Sequence, residues 1–126
     1  MAAGARVHTR RDMMNRIHDA LRTQSLALEL RAHRQGVLAS NIANAETPGY
    51  RAADFDFARA LRAALARPGA PLARAEPLPG AQPAADGNTV DMDAERAKFA
   101  DNAVRYEAAL RALNGQIRTL LDAIRG

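Results

Sequence analysis

Histidine, serine and closely spaced carboxylates are the side chains here that could carry catalysis or hold a metal, and their spacing argues against both. His8, His18 and His33 never pair at i,i+4 with another histidine, and none stands beside Asp or Glu in a ligand pattern, so they read as solvated surface groups. Ser25 and Ser40 lack the GxSxG context of an activated nucleophile, and no Gly-rich phosphate loop occurs. Asp54 and Asp56 lie two apart beside a helix start, where capping or turn formation explains them more simply than acid/base work. Cysteine is absent, which excludes disulfides, thiolate zinc sites and cysteine nucleophiles without fixing a compartment. The sequence therefore offers no catalytic residue, no cofactor site and no metal site, and it does not read as an enzyme.

One segment carries specific chemistry of another kind: LASNIANAETPGY, Leu38 to Tyr50. Asn41 and Asn44 stand three apart in the last turns of a helical pattern, where an amide buries poorly unless it is hydrogen-bonded. Two readings stand. Asn44 could simply help to end the helix before Pro48, or both amides could cross-link backbone at a subunit contact. In the second case Thr47-Pro48-Gly49-Tyr50 is a rigid turn presenting an aromatic ring with a polar tip.

The elements that position this junction follow from length, composition and periodicity. At 126 residues the chain has room for one small domain. Its hydrophobic fraction of 48% includes only 4% aromatics, and much of the rest is alanine, so helix is easy to form and the core is thin. The first arm runs from near Asp12 to about Asn44, with Met14, Ile17, Leu21, Leu28, Leu38 and Ile42 on one stripe and Leu26, Leu30 and Val37 on a second. Gly36 within it either admits a close neighbour or marks a bend. Pro48 disfavours helical geometry at Thr47 and ends the arm. A short helix from about Asp56 to Ala66 uses Phe57, Leu61 and Leu65. Five of six prolines fall between Pro68 and Pro83, which marks a flexible loop. The second arm starts after Gly87-Asn88 with Asp91 as N-cap and Asp93 and Glu95 in the first turn. Its apolar pattern is a heptad, with Phe99, Tyr106, Leu113 and Leu120 at one core position and Ala103, Leu110, Ile117 and Ile124 at the other.

The fold class expected is all-α: two long terminal helices forming an antiparallel hairpin or coiled coil, with a Pro-rich flexible middle loop and a short helix. The segments are 1–16 (basic and flexible), 17–45 (first helix), 46–66 (TPGY turn and short helix), 67–88 (loop) and 89–126 (heptad helix). A lone two-helix hairpin with an alanine-thinned seam buries little against its ordering entropy. The isolated monomer is thus expected to be marginal and to order fully on assembly.

The formal charge of +4 comes from the first 40 residues, where Arg6, Arg10, Arg11 and Arg16 form a basic segment interrupted by Asp12 and Asp19. A helical nucleic-acid-binding protein is the competing reading, but the segment has no stacking aromatics and the arginines of the second arm are spread around its axis. A generic coiled-coil adaptor shares the helices yet leaves LASNIANAETPGY unexplained. No apolar run is long enough for direct membrane insertion, and the N-terminus lacks the apolar core of a cleaved signal peptide.

Asn41-Ile42-Ala43-Asn44 followed after two residues by Thr47-Pro48-Gly49-Tyr50 resembles the N-terminal signature of the flagellar basal-body rod protein family. The lead-in LRAHRQGVLAS, the RAADFDF after the turn and the GNTVDMDAERAKFADNAVRYEAALRALNGQIRTLLDAI second half are most like its B-type proximal rod subunits. The likeness covers about residues 17–66 and 86–125 and departs in the Arg-rich extension and the Pro/Ala-rich middle. It implies a structural protein of motility, located in the basal body of the bacterial flagellum. Such a subunit leaves the cell by flagellar type III export without a cleaved signal and joins a helical assembly that transmits torque from the MS ring to the distal rod and hook. The partners implied are other rod subunits, the MS ring or its rod adapter, the export apparatus and further copies of the chain, with no nucleic acid. On this basis Asn41, Ile42, Ala43, Asn44, Thr47, Pro48, Gly49 and Tyr50 form the junction. The helix-helix assembly seam sets Leu21, Leu28, Leu38 and Ile42 against Phe99, Tyr106, Leu110, Leu113, Ile117, Leu120 and Ile124.

Overall fold

A computed structural model describes the backbone from Ala2 to Gly126 and the side chains from His8 onward; the Arg6 side chain of the basic segment lies outside the described residues. In chain order the elements are α1 (Ala2–Ala43), β1 (Ala53–Asp54), α2 (Phe57–Ala66), β2 (Glu76–Pro77) and α3 (Met92–Arg125). Helix α1 begins ten residues before the Asp12 start read from the apolar pattern. Alanine and arginine are good helix formers, and no proline interrupts the chain before Pro48. Helix α3 starts where its capping chemistry places it: the Asp91 carboxylate accepts from the Ala94 amide at 3.2 Å, and Asp93 and Glu95 fill the first turn. Asp56 caps α2 in the same way, accepting from the Arg59 amide at 3.0 Å.

Helices α1 and α3 run antiparallel. Asn41 meets Glu95 near the closed end, Gln35 reaches the Phe99 carbonyl in the middle, and Ile17 and Leu21 lie beside Gln116 and Leu120 at the open end. Helix α2 lies along α1, where the Arg31 guanidinium sits 3.6 Å from the Phe57 ring centroid. Arg22 donates to the Leu65 carbonyl at 3.2 Å, satisfying one of the carbonyls left open at the end of α2.

The proline-rich stretch is laid back over the hairpin. Strand β2 pairs antiparallel with β1, Ala53 opposite Pro77 and Asp54 opposite Glu76, and the Leu78 amide donates to the Ala52 carbonyl at 3.0 Å. This two-residue ladder was not legible as a strand, because a proline within it hides the alternation. His33 also departs from the surface reading. It is half-buried, stacks on Phe55 with centroids 5.4 Å apart, and donates through Nε2 to the Ala73 carbonyl at 2.9 Å. His8 and His18 are exposed as expected. At Gly36 a Cβ would meet nothing within 4 Å, so this glycine admits no close neighbour from its own chain.

The core is confined to the closed half. Leu30, Leu38, Ala52 and Ala60 are its buried apolar residues, and Asn41, Asn88, Glu95 and Asn102 are its buried polar ones. Every residue of α3 beyond Asn102 is at least partly exposed. This asymmetry predicts unequal effects of truncation. Leu38→Ala should lower stability by about 2–5 kcal/mol, whereas Ile124→Ala should stay within about 0.5 kcal/mol. Urea unfolding of the two variants measures the difference.

Candidate functional site: the hairpin junction

Where α1 ends, the chain must turn back while every buried polar group keeps a partner. Asn41 solves this locally. Its side chain is fully buried, and Nδ2 donates to the Ala53 carbonyl at 2.8 Å and to Glu95 Oε2 at 3.0 Å. Its Oδ1 accepts from the Tyr50 hydroxyl at 3.0 Å and from the Ala53 amide at 3.1 Å. One amide thus ties the end of α1, the turn, β1 and the first turns of α3.

Asn44 holds the next layer. Its Nδ2 donates to the Ser40 carbonyl at 2.8 Å, and its Oδ1 accepts from the Thr47 hydroxyl at 3.0 Å. Gly49 turns with φ 73, which a side chain would resist, and its amide donates to the Asp86 carbonyl at 2.9 Å. The turn is then gripped from the far end of the loop. Asn88 Nδ2 donates to the carbonyls of Asn44 and Thr47 at 2.9 and 2.7 Å, while Asn88 Oδ1 accepts from the Val90 amide at 2.8 Å. The Thr89 amide reaches the Tyr50 carbonyl at 3.0 Å, and the Ala52 amide reaches the Thr89 hydroxyl at 2.9 Å. Gly87 packs against Gly49, where an added Cβ would stand 3.5 Å from the Gly49 Cα.

An ionic cluster lies beside this clasp. Arg34 holds Asp54 through two hydrogen bonds of 3.0 and 2.9 Å, Lys98 approaches Asp54 at 3.9 Å, and Lys98 lies 3.4 Å from the buried Glu95. Burial alone would raise the Asp54 pKa. The Arg34 hydrogen bonds, the Phe55 amide and the two nearby cations together outweigh it and hold the carboxyl below its usual range. Further along the seam, Asn102 Nδ2 donates to the Arg31 carbonyl at 2.9 Å and to Gln35 Oε1 at 2.7 Å.

These contacts bring the junction residues together inside one chain. Asn41 is buried, Ile42, Asn44 and Tyr50 are half-buried, and Ala43, Thr47, Pro48 and Gly49 lie at the surface. In the seam, Leu38 is buried, and Leu21, Leu28, Phe99, Tyr106, Leu110, Leu113 and Leu120 are partly buried. Ile117 and Ile124 are not part of the intrachain seam: they are 42% and 82% exposed. The row Glu95, Asn102, Ala109 and Gln116 is turned toward α1 beside the Phe99 row, and because a straight helix drifts about 20° per heptad, the row that starts partly buried at Ala103 and Leu110 turns outward by Ile117 and Ile124. Asn88, Thr89, Glu95, Arg34 and Asp54 belong to the junction, and Asn102 to the seam beyond it, and periodicity alone did not single them out. The signal for two of them was present as polar residues seven apart on α3, at Glu95 and Asn102.

Two outcomes follow. Asn41→Ala strands the buried Glu95 oxygen and both backbone groups of Ala53, so it should destabilise the fold by about 3–5 kcal/mol, against about 1 kcal/mol for Tyr50→Phe. Chemical unfolding distinguishes them. Because the folded Asp54 pKa lies below its unfolded value, its contribution is complete above about pH 4 and is lost as pH falls through the folded pKa. Asp54→Asn should therefore be less stable than the parent at neutral pH and converge with it in acid, as thermal melts across pH would record.

Residues 21–51 match the family model described as flagella basal body rod protein. The chain is 41% identical over 134 residues to the flagellar basal body rod protein FlgB of Escherichia coli (strain K12), covering 89% of this chain and 97% of that protein. It is 42% identical over 136 residues to the protein of the same name from Salmonella typhimurium (strain LT2), covering 90% and 99%. For that of Cereibacter sphaeroides (strain ATCC 17029) the figures are 44% over 127 residues, 90% and 99%. These relatives are named as rod proteins and not as enzymes. A likeness of this extent, carried through both long helices and the junction that joins them, makes the chain a member of the flagellar basal body rod protein family.

Proposed function

We propose that the chain is a structural subunit of the proximal rod of the bacterial flagellar basal body, packed helically among other rod subunits to carry torque from the MS ring toward the distal rod and hook. The observation that carries this reading is the split character of the hairpin. Its closed end is latched by the Asn41 and Asn88 networks, while its open half exposes Met13, Met14, Ile117, Leu121 and Ile124. Exposed apolar side chains along both helices suit a body that completes its packing against neighbours.

The open half is also incompletely satisfied within itself. The side-chain oxygens of Gln24 and Gln116 are buried and have no hydrogen-bond donor among the described residues. Such acceptors weaken the local seam. A weak seam fits a subunit that passes unfolded through a type III export channel and gains its full order on assembly. The MS ring or its rod adapter and the export apparatus are the further partners this reading implies. Among the described residues, no helix is long and apolar enough to cross a membrane.

Leu113 lies partly buried on the Phe99 row of α3 and tests the reading in cells. Leu113→Asp places a bare charge in the seam and should abolish motility, with the chain missing from isolated basal bodies. Leu113→Met should swim. A Leu113→Asp chain that enters rods and supports swimming would overturn the assignment of this helix to rod packing.

A further inference from the structure

Asn114 is the only asparagine of the chain that precedes a glycine. Glycine has no Cβ to hinder its own amide nitrogen, so an Asn-Gly step lets that nitrogen reach the asparagine side chain more readily than other pairs do. The remaining asparagines are followed by Arg16, Ile42, Ala45, Thr89 and Ala103, and Asn41, Asn44, Asn88 and Asn102 hold their amides in hydrogen bonds. Asn114 is exposed, and its side chain makes no hydrogen bond among the described residues.

An intact α-helix suppresses attack by the Gly115 nitrogen. It holds the amide hydrogen on the carbonyl one turn back and keeps the backbone of Asn114 in a geometry that directs the nitrogen away from Cγ. Three features loosen α3 at this step. Gly115 costs about 1 kcal/mol relative to alanine in a helix interior. The Thr119 hydroxyl donates to the Gly115 carbonyl at 2.9 Å and competes there with the helical amide. Beside it, the buried Gln116 oxygen has no donor among the described residues. All three lie in the part of α3 beyond Asn102, where no residue is fully buried.

We propose that Asn114 is a site of spontaneous deamidation, gated by local opening of α3 at Gly115. In the opened segment the Gly115 nitrogen loses its proton to hydroxide and bonds to Asn114 Cγ. The Cγ–Nδ2 bond breaks, Nδ2 takes a proton from water and leaves as ammonia, and a cyclic succinimide remains. Water then adds to one ring carbonyl or the other and opens the ring to aspartate or isoaspartate. The two products differ in consequence. An aspartate at this position stands four residues before Arg118, the favoured order for a helical ion pair, so α3 persists. Isoaspartate routes the main chain through the side-chain methylene, which breaks the hydrogen-bond ladder and releases Ile117, Leu120, Leu121 and Ile124 from their helical positions. A reversible opening thus becomes permanent. This chemistry belongs to the free chain and stands apart from the rod assignment.

Peptide mapping by mass spectrometry of the full chain, aged at mildly alkaline pH in native buffer and in urea, tests the proposal. In urea Asn114 should deamidate at least about tenfold faster than the other asparagines. In native buffer it should still lead them, but react about tenfold or more slowly than in urea, since the reaction waits for opening. Gln116→Leu removes the orphaned acceptor and should slow the native reaction several-fold, whereas Leu120→Ala weakens the seam and should speed it. Neither should change the rate in urea. Gly115→Ala adds a Cβ that meets nothing within 4 Å, so it should raise the melting temperature and suppress the modification. By circular dichroism, the separated isoaspartate form should lose helicity that Asn114→Asp retains. A native rate equal to that in urea or too slow to measure, or another asparagine that reacts first, would overturn the proposal. So would Gln116→Leu and Leu120→Ala chains that age like the parent, or an isoaspartate form with full helicity.

Discussion

A buried primary amide has two donors and two acceptor positions, and it is tolerated in a core only when they are matched. Asn41 matches all four, and the groups it matches come from three different parts of the chain: Tyr50, Ala53 and Glu95. The rest of the junction follows from that demand. Asparagine is the side chain that can donate to the Glu95 carboxylate while also accepting from the Ala53 amide. Aspartate would set a second anion against Glu95, and leucine would orphan every partner. Glu95 in turn needs a cation, and Lys98 supplies it from one turn along the same helix. Lys98 also faces Asp54, whose charge is held chiefly by Arg34 of α1. A chain of polar necessity thus runs from the end of α1 through β1 to α3 and back.

Such a network specifies geometry more than it supplies stability, since desolvation offsets much of what buried ionic contacts gain. What it fixes is register. Two alanine-rich helices with leucines at nearly every turn could slide past one another by a heptad at little loss of apolar contact. Asn41 on Glu95 and Asn102 on Arg31 and Gln35 oppose that slip, because a shifted chain would part the buried Glu95 from the Asn41 amide and Asn102 from the Arg31 carbonyl and Gln35. The clasp at Asn88 acts on the loop in the same way. It returns α3 to one starting point whatever the proline-rich stretch between does.

Helix ends were legible in the sequence because their chemistry is local. Asp56 and Asp91 cap the helices they precede, and Pro48 with Gly49 ends the first arm. The motif spacing marked the junction for the same reason, but its meaning was not local. Within the chain the Asn41 amide bonds to Ala53 and Glu95 and the Asn44 amide to Ser40, partners that the motif spacing alone did not identify. Hydrophobic periodicity also could not choose the inward rows of α3. The Phe99 row faces α1 as its pattern suggests, yet its companion is the row containing Glu95, Asn102 and Gln116, which carries polar residues. That choice depends on groups in α1 that hydrophobicity does not register, namely the Asn41 amide, the Arg31 carbonyl and the Gln35 side chain. Arg34 with Asp54, His33 on Phe55 and the β1–β2 pairing are equally long-range, and single-sequence patterns hold no trace of them.

The polar inner row has a consequence for assembly. A hairpin that used both apolar rows of α3 against α1 would have satisfied itself and left a charged exterior. With the row of Glu95, Asn102 and Gln116 turned inward, α3 buries its second apolar row only in part, at Ala103 and Leu110, and keeps Ile117 and Ile124 outside. The same substitution of polar for apolar thins the seam near Gln24 and Gln116, whose buried oxygens have no donor among the described residues. Specificity at the closed end and adhesiveness at the open end therefore arise from one placement of residues around α3. Apolar surface withheld from the monomer is the surface on which a polymer can be built, and a latch remote from that surface lets neighbours add without disturbing the turn that sets the helices in line.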